Sequence, residues 1–357
     1  MTEHSIIIGN SCNMSSIANG SVNLIVTSPP YPMIEMWDAM FTQQDQGIGE
    51  DLLSGNGNKA FAKMHALLNK VWLECDRVLA DSGFICINIG DATRTLNGNF
   101  QLYSNHTEII NRFLALGYSM LPDILWHKQS NSPNKFMGSG MYPAGAYVTY
   151  EHEYILIFRK GGKRIFNGEE KNRRQKSAFF WEERNVWFSD LWEIKGTSQS
   201  VSAIKVSRDR NASFPLEIPY RLVNMYSVEG DTVLDPFAGF GTTSIACMLS
   251  NRNSVGVEID NEIAKLALNG MSIPVHVANS YISSRIQCHL DFIESLPEDK
   301  KSGCYDNLPH GFKVKTRQET LIAIDQLSSI SRTGNTIQCE YEKYRHREKP
   351  QQLSMMI

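Results

Sequence analysis

Two short segments carry side chains whose types and spacing could do chemistry. In Thr27-Ser28-Pro29-Pro30-Tyr31 a hydroxyl, two consecutive prolines and an aromatic ring follow one another. Proline fixes φ and lacks an N–H, so the pair stops both strand and helix and stiffens the loop. The Ser28 hydroxyl and the Pro29 carbonyl then make two fixed acceptors beside the Tyr31 ring. Such a set can receive a planar amine: two acceptors for its two N–H groups and a ring for its flat face. The bland alternative is a rigid connector with Tyr31 packed on the core. The second segment runs from Asp235 through Phe237, Gly239, Gly241 and Thr242 to Thr243. Its glycines let the backbone come close to a ligand, and the helix expected after it offers unpaired N–H groups. A GxGxxG fingerprint would need glycine at 244, where Ser244 stands, and the lysine of a P-loop is absent. Glu258 lies 17 residues past Gly241 and can accept hydrogen bonds from both hydroxyls of a ribose. Loop and acid together suggest an adenosine-containing cofactor without a pyrophosphate; the alternative is a tight turn beside a solvated Glu.

Positioning these loops requires strands that end where the loops begin. Apolar runs predict strands at 5–10, 22–26, 84–89, 120–126, 154–158, 232–234 and 255–257. Phe61, Met64, Leu67, Leu68, Val71, Trp72, Cys75, Val78 and Leu79 recur at helical spacing, and Asp81-Ser82-Gly83 is read as the end of that helix. Further helices are expected near 105–116, 216–227 and 242–250. The alternation predicts an α/β fold, a doubly wound and mostly parallel sheet with helices on both faces. Both loops should then meet at the carboxyl edge of one sheet, where such folds bind ligands.

Composition removes other classes. The 357 residues are 42% hydrophobic and 20% charged, enough to bury a core, which excludes global disorder. No run of 18 apolar residues exists, so no membrane-spanning helix is expected, and the start does not read as a signal peptide. Seven cysteines at 12, 75, 86, 247, 288, 304 and 339 lack the paired spacing of a disulfide framework or a zinc site, so no metal is expected. Reduced thiols point to the cytoplasm. The net charge of −3 does not advertise a nucleic-acid binder, but charge is unevenly spread. Residues 159–184 hold nine Lys and Arg against four Glu. Phe166, Phe179, Phe180, Trp181, Trp187, Phe188 and Trp192 sit among and after them. Lys195 to Arg210 is Ser-rich and again basic. The whole stretch departs from the strand–helix rhythm and is read as a separate lobe, its cations suited to phosphates or forming an ordinary solvated face. The tail from about 285 reads as helical and charged, weakly ordered over its last fifteen residues.

These residues resemble the S-adenosylmethionine-dependent DNA amino-methyltransferases, and specifically their β-ordered class, in which the catalytic loop precedes the cofactor loop. Thr-Ser-Pro-Pro-Tyr is similar to the form typical of cytosine-N4 enzymes; adenine-N6 enzymes usually carry Asp or Asn before Pro-Pro. Asp235-Pro-Phe-Ala-Gly-Phe-Gly-Thr-Thr243 resembles the family's cofactor motif and Gly256-Val-Glu258-Ile-Asp260 its ribose-binding strand. Ile8-Gly9-Asn10 sits where Gly-Asp is usual. Gly83 through Asp91, Tyr150-Glu-His-Glu153 and Phe214-Pro215 match further segments, while the common His-Pro before Phe-Pro is Arg210-Asn211 here. The resemblance implies Ser28, Pro29, Pro30 and Tyr31 as catalytic, and Asn10, Thr27, Asp91, Phe214, Pro215, Asp235, Phe237, Gly239, Gly241, Thr242 and Glu258 as cofactor-binding.

The resemblance further implies a Rossmann-like methyltransferase core with an inserted target-recognition lobe. Its parts are a catalytic half at 1–160, a recognition region at 161–210, a cofactor half at 211–285 and a helical extension at 286–357. The expected reaction is site-specific methylation of the N4 amine of a flipped-out cytosine in duplex DNA, as the modification part of a restriction–modification system. Adenine-N6 methylation is the alternative, and a non-catalytic DNA-binding protein on the same fold the third reading. Beyond DNA, a second copy of the chain and a cognate endonuclease are the candidate partners.

Overall fold

The computed structural model describes residues 1–128, 137–195 and 214–344. Ten strands form the main sheet: β1 (Thr2–Ile8), β2 (Val22–Thr27), β3 (Leu79–Ile89), β4 (Ile124–His127), β5 (His152–Arg159), β6 (Leu191–Trp192), β7 (Thr232–Asp235), β8 (Asn253–Glu258), β9 (Asp325–Thr333) and β10 (Thr336–Lys343). Their order is β6-β4-β5-β3-β2-β7-β8-β1-β10-β9, and Ser119–Met120 adds a short rung to β5. The five central strands, β3 to β1 in that order, are all parallel. β5 runs against them, and the β9–β10 hairpin closes the other side antiparallel to β1.

Alternation along the strands explains the two-sided burial. On β3, Ile85, Ile87 and Ile89 face one core while Cys86 faces the other; on β5, Leu156 and Phe158 face the first and Ile155 and Ile157 the second. A sheet buried on both faces reads as a continuous apolar run. One face is covered by the helix Gly57–Val78, whose stripe of Ala60, Met64, Leu68, Val71, Trp72, Cys75 and Val78 is buried. The other is covered by Glu217–Tyr226, which buries Ile218, Tyr220, Leu222 and Val223, and by Thr242–Met248. No described helix is long and apolar enough to cross a membrane, and all seven cysteines are unpaired.

Three expectations need correction. Asp81-Ser82-Gly83 does not end a helix: the helix stops at Val78, and β3 already includes these residues, with Ser82 at φ 68°. The tail is helical over Val275–Ser295 but then turns into the β9–β10 hairpin, where Ile337 and Cys339 alternate inward and are fully buried. The stretch after β5 is not a separate lobe where it is described. Phe180, Trp187, Trp192 and Ile194 belong to the main core, and β6 pairs with β4. Of the Lys195–Arg210 segment, all but Lys195 lies outside the described residues.

Candidate active site

The register of β2 against β7 and of β7 against β8 ends all three strands at the same edge. Thr27 Oγ1 donates to Asp235 Oδ1 at 2.6 Å and Thr243 Oγ1 donates to Asp235 Oδ2 at 2.7 Å. The Phe237 N–H donates to Oδ1 at 3.1 Å. Asp235 thus ties the end of β2 to the start of the glycine loop. Its burial pushes the carboxyl pKa up, opposed by these three hydrogen bonds.

Gly239 and Gly241 sit at φ 51° and 76°, a left-handed backbone that side chains disfavour. A Cβ on Gly241 would also press on Met271 and Ala267 at 3.3 Å. Glu258 Oε2 accepts the Gly239 N–H and Oε1 accepts the Asp260 N–H, both at 2.9 Å. The carboxylate is half-buried, and desolvation raises its pKa. An ionised carboxylate has about four acceptor positions, so two remain for a ligand. Phe237 stands edge-on to Trp72, their centroids 6.0 Å apart. Thr242 is half-buried at the first helical position, while Phe214 and Pro215 are buried where the helix Glu217–Tyr226 begins.

Asn10 lies beside this loop because the Gly9 N–H bonds the Glu258 carbonyl and the Ser11 hydroxyl bonds the Pro236 carbonyl. Its own side chain accepts the Cys12 N–H at 2.9 Å and donates to Gln44 at 3.3 Å. Asp91 is committed to other partners. Its carboxylate accepts the His106 N–H at 3.0 Å, meets His106 Nδ1 at 2.7 Å and accepts the Tyr150 hydroxyl at 3.2 Å.

The proline loop is held by residues whose roles sequence reasoning did not anticipate. Pro29 and Pro30 are buried, and Ser28 and Tyr31 half-buried. The Tyr31 hydroxyl donates to Glu153 Oε2 at 2.7 Å, and Asn88 Nδ2 donates to the Tyr31 oxygen at 2.8 Å and to Glu153 Oε2 at 2.7 Å. Lys128 caps Glu153 Oε1 at 2.9 Å. Burial first, and then the Glu153 charge, push the Tyr31 pKa well up, so the phenol keeps its proton. With the Tyr31 proton directed to Glu153 in that hydrogen bond, the Ser28 hydroxyl, 3.1 Å from the Tyr31 oxygen, is the donor of its pair. Both Ser28 lone pairs therefore point away from its own proton and are free to accept. Behind the loop, Asn105 Nδ2 donates to the Pro32 and Gly90 carbonyls at 3.1 and 2.9 Å, and Met33 is held at φ 68°. The available signal was polarity: Asn88 and Glu153 interrupt or flank apolar strands.

The sheet order, with a glycine loop and a proline loop meeting at one carboxyl edge, is that of a Rossmann-like methyltransferase fold. The chain belongs to the DNA methylase family, whose model matches residues 22–269. It is 49% identical over 321 residues to the Type II methyltransferase M.MthZI of Methanothermobacter thermautotrophicus, covering 89% of each chain. It is 49% identical over 273 residues to M.MjaI of Methanocaldococcus jannaschii, covering 73% of this chain and 89% of that one. Among solved structures, a DNA modification methylase of Thermus thermophilus, complexed with S-adenosyl-L-methionine, is 31% identical. That match covers 75% of this chain and 93% of the other, at a TM-score of 0.59. The PvuII DNA methyltransferase (cytosine-N4-specific) shares the fold at 16% identity and a TM-score of 0.56, covering 80% of this chain and 92% of that one.

Proposed function

We propose that this chain transfers a methyl group from S-adenosylmethionine to the exocyclic N4 amine of a cytosine flipped out of duplex DNA, as the modification half of a restriction–modification system. The observation that carries the reading is the Ser28–Tyr31–Glu153 chain of hydrogen bonds, joined through Thr27 to Asp235 and the glycine loop. The donor set fits the cofactor: Glu258 has acceptor positions left for ribose hydroxyls, and Gly239 and Gly241 clear the approach. When bound, the cofactor supplies an electrophilic methyl on a sulfonium.

The chain's own residues supply the rest. Flipping a base costs a few kcal/mol of unstacking and unpairing. The Tyr31 ring, fixed by its hydroxyl, offers a stacking face worth about 1–3 kcal/mol. The Ser28 oxygen and the Pro29 carbonyl accept the two amine hydrogens and turn the nitrogen lone pair toward the incoming methyl, so catalysis is largely positioning. Once the N–C bond has formed, the nitrogen carries one proton too many. Ser28 Oγ takes it while passing its own proton to Tyr31, and Tyr31 passes its own to Glu153. Each oxygen on the way ends with one proton, and the charge is neutralised at the carboxylate. The 49% identical Type II methyltransferases support the restriction–modification assignment.

The test is nucleoside mass spectrometry of DNA incubated with the protein and S-adenosylmethionine. 4-Methylcytosine is the expected product. 6-Methyladenine would overturn the choice of base, and no methylated nucleoside would overturn the reaction.

A further inference from the structure

A large groove of about 1260 Å³ lies away from the catalytic loops. It is lined by Asn23 at the start of β2, Ala80 to Phe84 at the start of β3, Arg159 at the end of antiparallel β5, and the carboxyl end of the helix Glu217–Tyr226. All of these mark the amino edge of the sheet. Tyr154 pairs with Ile89 beside the active site and Arg159 with Phe84, so the two edges are about 17 Å apart along the strands. The cations that line the groove therefore lie at the edge of the sheet opposite Tyr31.

Seven Lys and Arg line this groove against three carboxylates. Two of those three are engaged: Glu170 faces Arg164 at 3.6 Å, and Glu319 accepts the backbone N–H groups of Trp181 and Thr316. Glu182 and Glu183, on the helix Trp181–Trp187 beside it, are bound to His289 and Arg285. Among the described residues Lys163, Lys171 and Arg174 make no ion pair. The helix Glu169–Lys176 buries no residue at all; polar on every side, it gains nothing from core packing. The Phe166 ring makes cation–π contacts with both the Arg164 and Arg174 guanidinium groups, 4.7 and 4.8 Å from its centroid.

We infer that this groove is a second, sequence-independent docking surface for duplex DNA, holding a segment other than the one being methylated. The inference rests on the DNA-methyltransferase reading. The occupant is a polyanion because, Asp81 apart, the unpaired charges lining the groove are positive and spread along it. It is a second segment because a straight duplex on the carboxyl edge does not reach the amino edge.

The experiment uses the full chain and the triple variant Lys163→Gln, Lys171→Gln, Arg174→Gln, with a short random-sequence duplex as probe. Binding is followed against salt concentration, and stoichiometry by sedimentation with duplex in excess. The wild type should take up two duplexes and the variant one, and the variant's log–log salt slope should be shallower by about 2–3. Equal slopes and equal stoichiometry would overturn the inference. Methyl incorporation into sheared genomic DNA is the control, expected within twofold of wild type because the substituted side chains are exposed and far from the loops. A wild type that methylates no DNA overturns the underlying reading instead.

Discussion

The two halves of the active edge are built in contrasting ways. The glycine-loop half, proposed to hold the cofactor, closes on itself: Asp235, Phe237, Gly239, Thr243, Glu258 and Asp260 satisfy one another within 26 residues of chain. The base-side half is assembled from afar. Tyr31 is fixed by Asn88, 57 residues away, and by Glu153, 122 residues away, with Lys128 and Asn105 completing the frame. A site made of one local motif is specified by that motif; a site made of five distant stretches depends on the whole sheet being correctly folded.

Breaking the joint between the halves should have the largest effect. Asp235→Ala removes the acceptor shared by Thr27, Thr243 and the Phe237 N–H and should lower stability by about 2–3 kcal/mol while abolishing turnover, read by urea unfolding and methyl incorporation. Cofactor binding retained at wild-type affinity, with only the base side lost, would show the halves to be independent. Within the base-side half, Glu153→Gln removes the terminal proton acceptor. It should slow methyl transfer about 100-fold while leaving the cofactor Kd within twofold; single-turnover kinetics and calorimetry separate the two.

Glu258→Gln should do the reverse, weakening cofactor binding about 10- to 100-fold with little change in the rate at saturation. Its pKa is raised by burial, so cofactor affinity in the wild type should fall as pH drops through a value above the ordinary carboxylate range, and the Gln variant should lose that dependence.

A smaller effect distinguishes the scaffold from both halves. His4, between Thr2 and Ser254, and His65, bonded to Asn105, are buried, which lowers their pKa to about 3 and about 4. The unfolded chain takes up these protons below pH 6.5 and the folded chain does not. Stability is therefore full above pH 6.5 and should fall by about 1.4 kcal/mol per pH unit per histidine down to about pH 4. His65→Gln should flatten that slope in pH-dependent unfolding by one histidine's share.

The same contrast explains what was legible in the sequence. The parallel core was readable because its strands are apolar runs, and the glycine loop because left-handed backbone at 239 and 241 selects glycine. The Pro-Pro loop was visible as a rigid element, but its partners were not: nothing local to Asn88 or Glu153 says which ring they will meet. The β9–β10 hairpin carried a period-two signal in Ile337, Cys339 and Tyr341, hidden in a polar, charged tail. The basic stretch was misread as a lobe because composition reports charge but not which edge of a sheet a strand such as β5 delivers it to.

The central claim is that Ser28, its proton held by Tyr31, accepts a hydrogen of the substrate amine. Single-turnover methyl transfer by Ser28→Ala, at saturating cofactor and DNA, tests it most directly. A rate about 100-fold below wild type, with both ligands still bound, is the predicted result; a near-normal rate would contradict it.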